Sequence, residues 1–200
     1  MRPFRLGLTG SIGMGKSTTA GMFAARGVPV WEADAAVHRL YAVGGAAVPV
    51  IAALFPEAII EGAVDRTALK ARITADPAAL ARIEALVHPL VAADRAGFIA
   101  NAEARGDPLV LLDIPLLFET GSDAQMDATL VVTTLPEVQR ARVLARPGMT
   151  KALFDTLLAK QLPDAEKRIR ADHVIETATL EGAALAVDHL ITVITGAPHA

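Results

Sequence analysis

The residues most able to do chemistry stand near the start of the chain. Gly10-Ser11-Ile12-Gly13-Met14-Gly15-Lys16-Ser17 fits the pattern G-x-x-x-x-G-K-[S/T], in which backbone N–H groups free of Cβ crowding turn inward around phosphate oxygens. In that pattern Gly15 lets the chain approach the phosphates, Lys16 reaches the β and γ phosphates, and the Ser17 hydroxyl sits on Mg²⁺. Ser11, Gly13, Met14 and Gly15 in the loop, with Lys16, Ser17 and Thr18 at the start of the next element, are therefore the candidate nucleotide contacts. A helix opening near Lys16 aims its N-terminal dipole at the same anion.

Such a loop works only between a strand and a helix. Arg5 to Thr9 reads as a short buried strand, and Ser17 to Arg26 as a helix closed by Gly27,. Val28 to Trp31 reads as a second strand, Ala35 to Ala42 as a helix stopped by Gly44-Gly45, and Val48 to Phe55 as another short helix,. From Arg66 to Arg105 the chain is Ala-rich, with Leu69, Ile73, Leu80, Ile83, Leu86 and Val87 at helical spacing,. That is too much helix for one crossover. Leu109 to Asp113 and Ala128 to Val132 read as buried strands, His173 to Ile175 as a shorter one,. Charged helical stretches, Glu137 to Arg146 and Leu153 to Arg170, flank the turn Pro147-Gly148.

Short, non-alternating apolar strands separated by helices predict an α/β fold: a parallel sheet covered on both faces, with its binding crevice at the strands' carboxyl ends. Asp34 and Asp113 follow strands at that edge. Residues 1–65, 106–135 and 171–200 are expected to form the nucleotide-binding core. Residues 66–105 form a helical insertion, and 136–170 a second one that closes over nucleotide as a lid.

Composition narrows the function. The chain has 200 residues, 52% of them hydrophobic, enough for a sizeable core,. A net charge of -3 argues against a nucleic-acid backbone as main partner,. Without cysteine there is no disulfide framework, thiolate metal site or cysteine nucleophile,. The most apolar later run, Leu109 to Phe118, is interrupted by Asp113 and Pro115,. The expectation is a cytoplasmic monomer that takes small-molecule substrates, with no nucleic-acid or membrane partner.

A GTPase needs D-x-x-G after a strand and an N-K-x-D motif. Asp94-Arg95-Ala96-Gly97 lies in a helical run, and Asn101, the sole asparagine, is followed by Ala102. A mechanical ATPase usually carries a strand ending Asp-Glu, whereas here it ends Asp113-Ile114. A small-molecule kinase needs a base near the acceptor hydroxyl, positive charge on the transferring phosphoryl group and a lid that excludes water. All three have candidates.

The sequence resembles the dephospho-CoA kinases over nearly its whole length. The resemblance rests on Gly7-Leu8-Thr9-Gly10-Ser11-Ile12-Gly13, on Asp34 in Trp31-Glu32-Ala33-Asp34, and on Leu86-Val87-His88-Pro89. It continues through Asp113-Ile114-Pro115-Leu116-Leu117-Phe118-Glu119, Gln139-Arg140 through Arg146, Gln161 and Ala171-Asp172. It implies a P-loop core with a helical CoA-binding domain and a lid, transferring the ATP γ-phosphoryl group to the ribose 3′-hydroxyl of dephospho-CoA with Mg²⁺. The residues alone stop at a Mg-ATP-dependent small-molecule kinase, with a nucleoside or nucleotide kinase and a non-catalytic nucleotide switch as the other readings. Ser11 stands where a second glycine is usual, Met14 where a small residue is, and Glu176-Thr177 where an asparagine is common.

Each remaining candidate carries two readings. Asp34 caps the helix that follows it or serves as base to the acceptor hydroxyl. His88 is a turn residue ahead of Pro89 or, by the resemblance, a CoA contact. Asp113 closes a strand or holds a water on Mg²⁺, and Leu116 and Glu119 either pack or contact substrate. Arg140, Arg142 and Arg146 form a solvated helix face or supply charge to the γ-phosphoryl group. Arg140 is the first candidate for that charge, and Arg146 the next and an ATP contact.

Overall fold

The structure, a computed structural model, describes residues 2–196. In chain order its helices and strands are β1 (Phe4–Thr9), α1 (Lys16–Ala25), β2 (Val30–Glu32), α2 (Ala33–Tyr41), α3 (Ala47–Leu54), β3 (Ile59–Ile60), β4 (Ala63–Val64), α4 (Arg66–Ala75), α5 (Ala78–Arg105), β5 (Leu109–Asp113), β6 (Ala128–Thr133), α6 (Pro136–Leu144), α7 (Lys151–Leu158), α8 (Asp164–Arg170), β7 (His173–Glu176) and α9 (Leu180–Thr195). The chain divides into two compact units, one of residues up to Trp31 with those from Ala102 onward, the other of Glu32–Asn101.

In the first unit the strands line up in the order β2-β5-β1-β6-β7. β1 pairs in parallel with both β5 and β6, setting Leu8 beside Asp113 and Leu130, and β7 extends the sheet in parallel from β6. Every residue of β5 and β6 is buried, as expected of strands covered on both faces. Leu6, Leu8, Leu109, Leu111, Leu130 and Val132 form one face of that sheet in a core shared with Phe23 of α1 and Val187 and Ile191 of α9. Truncating a side chain as enclosed as Phe23 to alanine costs about 3–5 kcal/mol,. α9 begins at Thr179, whose Oγ1 accepts the Gly182 N–H at 3.1 Å, and stops at Gly196 in the left-handed region,.

The second unit has its own core, in which Ile51, Phe55, Ala58 and Val64 pack with Leu69, Ile83 and Val87. Arg72 and Arg82 each stand 5.4 Å from the centre of the Phe55 ring, a cation–π arrangement. Because α3 and the following hairpin share this core with α4 and α5, the unit takes in residues 32–65 as well as the helical stretch expected from residue 66. Strands β3 and β4 pair antiparallel across Glu61-Gly62, both with positive φ, the two-residue turn whose twist suits a hairpin. The Asp65 carboxylate caps α4 by accepting the Ala68 N–H at 2.6 Å. The helix α5 runs for 28 residues with Pro89 inside it. His88 is thus helical, and the turn reading of His88-Pro89 is corrected: the bias that proline imposes on its predecessor yields to the packing of Ile83, Val87 and Val91,.

Residues 136–170 belong by their contacts to the first unit. Among the described residues no helix is long and apolar enough to cross a membrane.

Candidate active site

The glycine loop joins β1 to α1. Gly13 and Gly15 have φ of 82° and 91°, and a Cβ on Gly15 would lie 2.9 Å from Thr177 Oγ1. Glycine is therefore required at 15 for both torsion and space. Gly15 is the N-cap of α1, and no side chain caps the helix. The amides of its first turn, which have no intrahelical acceptor, are left for an anion.

The loop is gripped from three sides. Ile12 N–H donates to Gln161 Oε1 at 3.0 Å, and Ile12 C=O accepts from Gln139 Nε2 at 2.8 Å. Thr177 Oγ1 donates to Met14 C=O at 2.8 Å. The Met14 side chain is buried in the sheet's core, and its sulfur accepts the Thr134 N–H at 3.2 Å. The methionine thus anchors the loop from beneath without occupying the phosphate side. Ser11 is also buried, and its Oγ has no hydrogen-bond partner among the described residues.

Lys16 Nζ lies 2.5 Å from Asp113 Oδ1 at the carboxyl end of β5, in a pair whose side chains are 18% and 4% exposed. Ser17 and Thr18 are exposed on the first turn of α1. A cleft of about 220 Å³ opens beside them, lined by Gly13, Gly15, Thr18, Arg142, Arg146 and Thr177 among others. Arg142 donates to Thr177 C=O at 2.7 Å and to Thr177 Oγ1 at 3.2 Å. Arg140 is exposed and does not line this cleft. Helical geometry accounts for the split within α6, where positions two apart point about 200° away from one another, while Arg146 reaches the cleft from just beyond the helix end,.

Glu119 is tied into the protein. Its Oε1 accepts the Leu162 N–H at 2.8 Å and lies 2.9 Å from Nζ of the fully buried Lys167. Burial raises the Glu119 carboxyl, but the Lys167 ammonium and the Leu162 amide outweigh it and hold the group below its usual value. Leu116 is 39% exposed, while its neighbour Leu117 is wholly buried.

Asp34 and His88 belong to the second unit. Asp34 is the second residue of α2, whose N-cap is Glu32 with no side-chain capping bond. The capping reading of Asp34 therefore fails: its carboxylate is exposed, inside the first turn, and closes no helix end. His88 is exposed on α5.

No group of three or more potential metal ligands occurs among the described residues. Mg²⁺ does not need one, since it usually takes one or two protein oxygens and completes its octahedron with phosphate and water. The Ser17 hydroxyl and the Asp113 carboxylate, both oxygen donors beside the loop, suit that pattern.

Three parts of the grip have no chemistry of their own that announces it: the roles of Gln139, Gln161 and Thr177 come from contacts between distant segments.

A glycine loop between a parallel strand and an uncapped helix, a lysine at its end and two arginines across the cleft define a P-loop nucleotide-binding protein. The family model for dephospho-CoA kinase matches residues 4–181, and the chain belongs to that family. It is 65% identical over 191 residues to the dephospho-CoA kinase of Cereibacter sphaeroides, covering 96% of this chain and 95% of that one. Identity to the enzyme of Jannaschia sp. is 61% over 192 residues, covering 96% and 97%. Among solved structures, TT1252 from Thermus thermophilus superposes with a TM-score of 0.82 at 36% identity, covering 98% of this chain and all 100% of that one. The dephospho-CoA kinase of Campylobacter jejuni shares the fold, with a TM-score of 0.68 at 19% identity over 98% of this chain and 100% of its own.

Proposed function

We infer that the chain moves the γ-phosphoryl group of ATP to the ribose 3′-hydroxyl of dephospho-CoA, giving CoA and ADP, the final step of coenzyme A biosynthesis. The observation that carries this is the glycine loop with its uncapped helix and buried Lys16–Asp113 pair, in a chain that belongs to this family. The loop amides and Lys16 bind the β and γ phosphates. Arg142 and Arg146, lining the cleft, meet the nucleotide and supply charge as the phosphoryl group transfers,. Ser17 and Asp113 would hold Mg²⁺, which neutralises charge on the phosphates. Asp34 orients the acceptor hydroxyl and takes its proton as the new P–O bond forms and the bond from the γ phosphorus to the bridging oxygen breaks, releasing ADP. Its exposed carboxylate, free of capping duty, supports that role. His88 binds the CoA moiety and residues 136–170 act as a lid, in a cytoplasmic, monomeric enzyme.

An ADP-release assay across dephospho-CoA, adenosine and AMP tests the reading. ADP formation is expected to need both Mg²⁺ and dephospho-CoA, with AMP at least ~100-fold poorer in kcat/KM because the larger substrate spends remote binding energy on positioning. Equal turnover of AMP points to a nucleotide kinase, and tight ATP binding without acceptor-dependent ADP points to a switch.

A further inference from the structure

The ion pair of Glu119 with Lys167 has no part in the phosphate chemistry above. Lys167 is 0% exposed, and its Nζ has a carboxylate oxygen at 2.9 Å. Removing an ammonium from water costs several kcal/mol, so a buried pair is weak evidence for stability. What else Glu119 holds supplies a reason for it. The Oε1 that faces Lys167 also accepts the N–H of Leu162. Leu162 follows Gln161, whose side chain accepts the N–H of Ile12 inside the glycine loop. Residues 161–163 lie between α7 and α8 outside any helix, so their path depends on such bonds. Lys167 stands in the middle of α8, and the pair fastens that helix to the segment after β5.

The carboxylate is turned into the protein: its Oε1 faces Leu162 and Lys167, and its Oε2, closed off from solvent, has no hydrogen-bond partner among the described residues. We propose that Glu119 is a positioning residue: with Lys167 it fixes the 161–162 segment, and through Gln161 it sets the glycine loop for the phosphates of ATP while touching neither substrate. The proposal rests on the reading of that loop as the ATP site.

Equilibrium ATP binding, steady-state kinetics and Tm of the wild type, Gln161→Ala, Glu119→Gln and their double variant test it. Each single change is expected to raise Kd and KM for ATP by ~3–10-fold, Gln161→Ala by the worth of one hydrogen bond and Glu119→Gln by loss of the charge that Lys167 pairs with, and to leave KM for dephospho-CoA within ~2-fold,. The double variant is expected to bind ATP no worse than the weaker single, because both act through one chain of contacts. If Glu119→Gln does not fold beside a buried lysine, Glu119→Gln with Lys167→Met removes both charges together and is expected to show the same ATP-specific loss. Gln161→Ala alters no charge and carries the test independently. A higher KM for dephospho-CoA with unchanged ATP affinity makes Glu119 a substrate contact and overturns the proposal, as do multiplying effects in the double variant or unchanged ATP binding throughout. A wild type that binds no ATP overturns the reading of the loop instead.

Discussion

Lys16 Nζ and Asp113 Oδ1 stand 2.5 Å apart with the aspartate almost wholly buried. The loop lysine is thus held at the end of β5, with a carboxylate as its partner in the place where phosphate oxygens are wanted. Lys16→Ala is expected to lower kcat by more than ~100-fold, since the charge on the transferring group is lost. It should also lower stability by ~1–3 kcal/mol, because the buried Asp113 carboxylate loses a hydrogen-bond partner,. Asp113→Asn in the same chain is expected to restore the Tm but not the activity. Chemical denaturation and ADP release on the same preparations check both parts.

Asp34→Asn separates proton acceptance from helix chemistry. Asp34 caps nothing, so the amide forfeits only a carboxylate's favourable place near the helix N-terminus, ~0.3–1 kcal/mol. The kcat is expected to fall by roughly 10²–10⁴, nearer the lower end because a loose phosphoryl transfer asks little of its base. ATP affinity should hold. A variant with near-full kcat removes Asp34 from the mechanism.

The arginines on and just after α6 divide by face. Arg142→Ala and Arg146→Ala are each expected to cost roughly 10–100-fold in kcat/KM for ATP, as charged donors to phosphate are removed. Arg142→Ala should also loosen Thr177, to which it donates twice. Arg140→Ala, on the exposed side, is expected to change kcat and KM by less than ~2-fold, the usual latitude of a surface substitution. A large loss of kcat in Arg140→Ala would restore it as the residue that meets the γ-phosphoryl group.

Acid stability follows from Asp127. Hydrogen bonds from the Arg5 guanidinium, which grips it with two donors, together with the Arg5 amide and the charge of Arg2, bring its carboxyl down to about 2. A carboxyl depressed on folding contributes stability that is complete above its unfolded value, about 3.9, and fades as pH falls through the folded one. Asp127→Asn is expected to lower Tm at pH 7 by ~4–8 °C, from ~2 kcal/mol of charge-assisted bonding in a domain of this size. The gap between variant and wild type should narrow steadily below pH 4. A gap independent of pH would mean that Asp127 acts by packing alone.

The sheet was legible because β1, β5 and β6 are short, mostly apolar, non-alternating stretches, and the loop because its glycines and lysine are obligatory for phosphate. α9 was not assigned from sequence, although Ala183, Val187, Leu190 and Ile191 repeat at helical spacing between Thr179 and Gly196. The β3–β4 hairpin escaped because two-residue strands carry no periodicity, and its only signal is Glu61-Gly62. His88 misled because the rule for residues before proline is local, whereas the core of the second unit is not. The attachment of Glu119 joins segments far apart in the chain, and no spacing announces it.

The strand order has a consequence for how the molecule comes into being. β1 is synthesised ahead of both its partners, β5 and β6, which follow only after all of Glu32–Asn101. The segment between them gathers its core from near neighbours and can condense early, as domains do during translation. Pairings between remote strands must wait for loop closure and form slowly. The nascent Phe4–Thr9 stretch therefore spends the interval without its strand partners, with Leu6 and Leu8 uncovered. The phosphate loop that follows it takes shape only when the last third of the polypeptide, bearing Gln139, Gln161 and Thr177, arrives to hold it.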